Sequence, residues 1–159
     1  MIANNIQLNP FAVSNLLAFC VFLITVILIL RNKKETIHWM LILFYLSVML
    51  WSLGLFVASI SEVPSLSFFW WKIAHIGGLF VSVLFLKFVC SLCRIRHPFI
   101  IFLGYLNGTI WQFLSFLDFA DMKVVYFRDF YLLRPHSYKY LFSYIIWLVP
   151  MIFGFLEIV

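Results

Sequence analysis

The sequence has 159 residues, of which 65% are hydrophobic and only 11% are charged, and its mean hydropathy is +1.09. Soluble domains contain about 45–50% apolar residues, and this chain has too few polar residues to coat a water-facing surface, which argues against a soluble fold. The formal charge of +5 does not indicate a nucleic-acid-binding protein, because the 11 Lys and Arg residues lie mainly in short segments between apolar runs.

Five apolar segments are long enough to cross a bilayer. A hydrocarbon core of about 30 Å needs about 20 apolar residues in a helix. The segments of this length are residues 11–30, 38–60, 68–93, 98–117 and 141–159. The sequence therefore predicts an all-α fold, a polytopic integral membrane helix bundle of about five transmembrane helices. We expect one membrane domain over residues 1–159 and no soluble output domain.

The connections between the segments predict the orientation. The first connection (31–36) contains Arg31, Lys33 and Lys34 and the third (94–97) contains Arg94 and Arg96, whereas the second (61–67) contains no Lys or Arg. Short cytoplasmic loops carry an excess of Lys and Arg. We therefore expect a multi-pass protein of the cell membrane with its N-terminus outside and its C-terminus in the cytoplasm.

The fourth connection, residues 118–140, differs from an ordinary polar loop. It is basic, although the alternation of spans places it outside, and its stretch "KVVYFRDFYLLRP" interleaves β-branched and aromatic residues with charges. A short hairpin and an interfacial helix both fit this pattern. A ligand-facing lid is a further alternative.

Ionisable residues within the predicted spans are the candidate functional residues, because such groups are costly in lipid. Lys87 lies about 10 Å from the edge of its span, and Glu157 lies at a similar depth in the fifth span. A Lys87–Glu157 pair would join the third helix to the fifth, and snorkelling of Lys87 to the headgroups is the simpler alternative. Lys72 and His75 share a face of the third helix. Three alternative roles fit this position: interfacial anchoring, pH sensing and binding of an anionic ligand.

Sequence patterns for catalysis or metal binding are weak. Cys90, Cys93 and His97 are spaced like metal ligands, but a fourth ligand is not evident, and acylation of a juxtamembrane cysteine is an alternative. The chain has no glycine-rich phosphate-binding loop followed by Lys and Ser or Thr. We expect no catalytic activity, no cofactor and no bound metal.

The middle of the chain is similar to a known family. The segment "WSLGLFVASISEVPSLSFFWWKIAHIGGLFVSVLFLKFVCSL", from Trp51 to Leu92, resembles the histidine kinase N-terminal seven-transmembrane region. The opening "LNPFAVSNLL" from Leu8 and the stretch "DFYLLRPHSYKYLFSY" from Asp129 also fit. The sequence departs from the family pattern at Ser82, where proline is common, and at Lys87, where histidine is common.

The resemblance implies a function. Members of this family are sensor modules of bacterial and archaeal two-component and related signal transduction proteins, and they precede cytoplasmic kinase or cyclase domains. The resemblance implies that this chain is a sensory input module, shortened to about five helices, that detects or relays a signal without catalysis. Expected partners are the lipid bilayer and a cytoplasmic signalling protein or a second copy of the chain. A small transporter or channel subunit and a non-functional remnant of a sensor kinase remain as alternatives.

Overall fold

The computed structural model describes residues 9–31, 35–117, 122–127, 130–135 and 139–158, and these contain five helices and two strands. The helices are α1 (Pro10–Arg31), α2 (Thr36–Ile60), α3 (Pro64–Cys93), α4 (Pro98–Phe116) and α5 (Lys139–Leu156). The strands are β1 (Met122–Phe127) and β2 (Phe130–Pro135). The predicted all-α membrane bundle is confirmed, and the two strands form a small addition to it.

Four of the helices, α1 to α4, are long and apolar enough to cross a membrane. Many large apolar side chains on them are exposed, for example Leu17 at 60% and Phe99 at 70%. Such surfaces are typical of helices that face lipid. The protein is therefore a multi-pass membrane protein.

The last helix is shorter than the sequence predicts. The predicted span covers residues 141–159, whereas α5 runs from Lys139 to Leu156 and its apolar part is Phe142–Leu156. At a rise of about 1.5 Å per residue, this apolar part covers roughly 22 Å, less than the roughly 30 Å hydrocarbon core. A helix of this length crosses only with local thinning of the bilayer or help from its neighbours.

Prolines and one unusual backbone conformation set the helix boundaries. Pro64 and Pro98 open α3 and α4 at the first turn, where a missing backbone N–H costs nothing. Arg94 ends α3 in the left-handed conformation, with φ 58° and ψ 31°, and its N–H donates to the carbonyl of Cys90. This sharp turn allows His97 and the start of α4 to lie beside the end of α3.

The strands resolve the fourth connection as a hairpin, one of the two structures predicted from its sequence. β1 and β2 pair antiparallel, from Met122 opposite Pro135 to Phe127 opposite Phe130. The hairpin contacts α2 and α3. Because the hairpin follows α4, which begins beside the end of α3, it lies on the membrane side where α2 ends and α3 begins, here called the Pro64 side; the opposite side, where α3 ends, is called the His97 side.

The closest helix contact joins α2 to α3 and depends on glycine. A Cβ added at Gly54 would lie 2.7 Å from the backbone of Ala74, and one at Gly77 would lie 2.3 Å from the carbonyl oxygen of Ser47. Both distances are shorter than any real contact, so the two backbones meet directly. Because lipid provides no hydrophobic driving force between helices, close packing of this kind is a main source of bundle stability.

Adjacent glycines of α3 should respond differently to alanine. Gly77→Ala forces the α2 backbone away, and we expect a loss of about 1–3 kcal/mol in the free energy of unfolding, the scale of overpacking. A Cβ at Gly78 meets only the Trp51 ring, at an ordinary 3.6 Å, so Gly78→Ala should be neutral or slightly stabilising. Thermal unfolding of both variants in the same detergent measures the difference. Equal stability of the two would contradict the packing described.

Candidate functional site

A cavity of about 90 Å³ lies between α2, α3 and α5. Its wall consists of Trp51 from α2, His75, Gly78 and Leu79 from α3, and Tyr144 and Trp147 from α5. Along α3, His75 lies about 16 Å from the Pro64 end, and Tyr144 lies about 8 Å from the start of α5. The cavity therefore lies in the half of the bundle that is nearer the Pro64 side.

Gly78 holds the two tryptophans of the wall together. Its Cα faces the indole of Trp51, since an added Cβ would be 3.6 Å from three atoms of that ring. Its carbonyl oxygen accepts a hydrogen bond of 2.9 Å from Nε1 of Trp147. The indole N–H of Trp147 is thus satisfied within lipid, and both ring systems remain as apolar wall.

The two polar candidates near the start of α3 have different surroundings. His75 lies in the wall of the cavity. Lys72, one turn nearer the Pro64 side, places Nζ 4.6 Å from the centroid of the Phe68 ring. Since Phe68 is a further turn toward the same side, the ammonium group points away from the bilayer centre, as snorkelling requires.

On the opposite membrane side, Glu157 pairs with His97. Nε2 of His97 and Oε1 of Glu157 are 2.7 Å apart, and both side chains are partly exposed. Cys93 donates a long hydrogen bond of 3.6 Å from its thiol to the Glu157 carbonyl, and the ring of Phe153 packs edge-on against His97. These contacts join the end of α5 to the link between α3 and α4.

The structure does not form the hypothesised Lys87–Glu157 pair. Nζ of Lys87 lies 5.7 Å from the centroid of the Tyr105 ring, so this side chain faces α4, whereas Glu157 faces His97. The sequence predicted this pair only because Lys87 and Glu157 lie at a similar depth in the membrane. The rotation of α3 about its axis, which depth does not define, turns Lys87 away from α5.

The cysteine and histidine string does not form a metal-binding cluster. Cys90 is buried and Cys93 is exposed, and both are free thiols. Within the described ranges, no group of three or more His, Cys, Asp or Glu residues could hold a metal ion. His97 instead serves as the partner of Glu157.

Polar residues of α4 do not converge on one path. Asn107 donates from Nδ2 to the Ser143 carbonyl at 3.4 Å and so joins α4 to α5. Thr109 and Gln112 line a shallow groove with Phe80, Phe113 and Phe116. The amide of Gln112 is buried without a hydrogen-bond partner. A conduction path would need several such groups facing one another.

Most residues of the cavity wall were not predicted from the sequence. Trp51, Tyr144 and Trp147 belong to apolar runs in which nothing in the composition distinguishes a wall residue from a lipid-facing one. The sequence did contain a signal for His97, because it is an ionisable residue of the third connection and lies at the level where the fifth span ends. Charged and imidazole groups at one membrane level are natural partners.

Comparison with known proteins gives no relative: the chain matches no protein-family model, no curated protein and no solved structure.

The two possible partners of Glu157 can be separated by double-mutant cycles. We expect His97→Ala and Glu157→Gln to show a coupling of about 0.3–1 kcal/mol in the free energy of unfolding, as for other partly exposed ion pairs. Lys87→Gln combined with Glu157→Gln is the matched control and should show additive effects. Coupling in the control but not in the first cycle would mean that Glu157 pairs with Lys87 in the membrane.

Proposed function

We propose that this protein is a membrane sensory input module, which detects or relays a signal through helix movement and catalyses no reaction. One observation carries the proposal: α5 lines the cavity near its start and contacts the α3–α4 link through Glu157 near its end. A single helix thus connects a candidate stimulus site with the opposite side of the membrane. The resemblance of residues 51–92 to the histidine kinase N-terminal seven-transmembrane region supports the same role.

The relay depends on a difference between two helix contacts. The α2–α3 pair is locked by backbone contacts at Gly54 and Gly77, which leave no space for sliding. By contrast, α5 is seated against α3 by side chains, through Trp147 on Gly78 and Phe85 on Gly154. An occupant of the cavity would therefore displace α5 rather than separate α2 from α3.

A displacement of α5 at the cavity also affects a contact on the His97 side of the membrane. Because α5 is a continuous helix that ends one residue before Glu157, a change in its position or tilt alters the contact with His97. The partner that receives the signal is a cytoplasmic signalling protein or a second copy of the chain, in contact with the His97 side. Helix shifts of about 1–2 Å are sufficient in known switching transitions.

The proposed orientation follows from the charges. Arg31, Arg94 and Arg96 all lie on the His97 side and are exposed. By the positive-inside rule this side is cytoplasmic, which places the N-terminus and the cavity on the external side of a cell membrane.

A permanent occupant of the cavity should reproduce the signalled state. In a chain without native cysteines, spin labels at Leu92 of α3 and Ile158 after α5 report the distance between the ends of these helices, and both positions are exposed. We expect Gly78→Leu to shift this distance by about 1–2 Å. Labels at Leu43 of α2 and Leu92 form the control pair and should not shift. If neither distance changes in the folded variant, the relay mechanism is wrong.

Accessibility labelling tests the orientation. With single cysteines at Ser65 and Arg96, both exposed and on opposite membrane sides, an impermeant maleimide added to intact cells should label only Ser65→Cys. Arg96→Cys should react only after the membrane is opened. The reverse pattern would place the cavity on the cytoplasmic side and remove the proposed route for an external stimulus.

A further inference from the structure

A second, polar cleft opens between the start of α2 and the end of α3, on the His97 side of the membrane. Its volume is about 420 Å³, within the range of roughly 300–1,000 Å³ that small-molecule pockets occupy. The wall consists of Glu35, Thr36 and Ile37 from the α2 end and Ser91, Leu92 and Arg94 from the α3 end. Unlike the cavity between α2, α3 and α5, this cleft has a mostly polar wall.

Arg94 supplies the positive charge of the cleft. Its side chain is exposed. Among the described residues its guanidinium has no acidic partner, since the ion pair that these residues form joins His97 to Glu157. Only the backbone N–H of Arg94 is used within the fold, where it donates to the carbonyl of Cys90 at the end of α3. The guanidinium is therefore available to an anion from outside the chain.

The acidic residue of the wall is engaged with its own helix. Glu35 forms a capping box with His38, in which the backbone N–H of Glu35 donates to Nδ1 of His38 at 3.1 Å. Thr36 and Ser91 add two hydroxyl-bearing side chains on opposite sides of the cleft. Guanidinium and hydroxyl groups can both donate to the oxygens of an anion. The cleft thus offers donors from both helices.

The membrane edge around the cleft is basic. Three exposed arginines lie on this side: Arg31, Arg94 and Arg96. The acidic residues that the structure describes here are Glu35 and Glu157, and the carboxylate of Glu157 lies 2.7 Å from Nε2 of His97. Two lysines in the sequence between α1 and α2 add to the positive charge. This balance favours an anionic ligand over a cationic one.

The cleft continues into a surface that suits lipid chains. Leu92, in the wall itself, is 52% exposed. Leu43 is also exposed and lies seven residues after Thr36, which places it two turns deeper on the same face of α2. A ligand with its anionic group in the cleft can therefore extend apolar chains toward the bilayer core. Basic pockets between transmembrane helices bind phospholipid headgroups in this way.

We propose that this cleft binds the phosphate group of an anionic phospholipid. Arg94 contacts the phosphate, Thr36 and Ser91 are further donors, and the acyl chains lie along Leu92 and Leu43. The bound lipid bridges the start of α2 and the end of α3 and so stabilises this helix pair on the His97 side. The site is separate from the cavity near the Pro64 side, and the proposal does not rest on the sensory role.

Two lipids with the same acyl chains test the charge of the ligand. Dioleoyl phosphatidylglycerol and dioleoyl phosphatidylcholine both contain a phosphate, but only phosphatidylglycerol has a net negative charge. Binding of each lipid to the full chain in detergent is measured by native mass spectrometry. We expect the first phosphatidylglycerol to bind about tenfold tighter than phosphatidylcholine, the scale of one charge-assisted hydrogen bond. Equal affinities would contradict the proposal.

Variants locate the site. Arg94→Gln should lower the affinity for phosphatidylglycerol about tenfold and leave that for phosphatidylcholine unchanged, whereas Arg94→Lys, which keeps the charge, should retain most of the binding. Arg96→Gln is the matched control, because it removes the same charge from an exposed arginine outside the cleft wall, and its effect should be much smaller. Ser91→Leu narrows the cleft without a change in charge and should also weaken binding. Thermal unfolding in lipid-free detergent checks that each variant is folded.

Two further results would overturn the proposal. Equal losses in Arg94→Gln and Arg96→Gln would mean that the basic edge attracts headgroups as a whole and that the cleft is not a site. Inorganic phosphate separates the two sources of a phosphate group, and an excess of it should leave phosphatidylglycerol bound to the wild-type chain. If inorganic phosphate displaces the lipid, the cleft is a site for a soluble phosphate and the lipid assignment is wrong.

Discussion

The direct contact of the α2 and α3 backbones is the constraint on which the rest of the structure depends. Gly54 against Ala74 and Gly77 against Ser47 bring the two helices closer than side chains of any size would permit. In lipid, where apolar surfaces gain little from leaving their solvent, such contacts supply the dispersion energy that fixes the arrangement. They also fix the rotation of both helices. That rotation places Trp51 over Gly78 and so creates one wall of the cavity.

The position of α5 against α3 follows from the α2–α3 packing. With α2 covering one face of α3, another face remains for α5, and the contacts there use complementary shapes: Phe85 fills the space at Gly154, and Pro150 of α5 packs against Gly104 of α4. The polar groups that hold α5 lie on other elements: Asn107 and the Gly78 carbonyl contact its first half, and His97 contacts the residue after its end. The helix is therefore held by polar contacts in its first half and beyond its end, and a displacement at one of these levels alters the geometry at the other.

The sequence was sufficient for the number and approximate length of the helices, because the thickness of the bilayer sets how many apolar residues a span needs. Pro64 and Pro98 further indicated where α3 and α4 begin. The site was not predictable in the same way: helices that are apolar all round give no periodic signal for which face meets a neighbour, so neither the direction of Lys87 nor the meeting of Trp51 and Trp147 could be derived. The hairpin remained one of two alternatives, because short segments of β-branched and aromatic residues fit both a strand and an interfacial helix.

Residues 51–92, the segment on which the sequence-based family prediction rests, coincide with one packing unit of the structure. The segment contains the second half of α2 and nearly all of α3, which includes Gly54, Gly77 and the α2 and α3 walls of the cavity. The walls that α5 supplies, Tyr144 and Trp147, lie outside it. Under the proposed sensory role, the α2–α3 pair is the fixed part of the module, and α5 supplies the part of the wall that moves. Two polar residues of α3 within this segment lie outside the cavity wall. Ser82 is buried within the bundle and Lys87 faces α4, so neither contributes to the cavity wall.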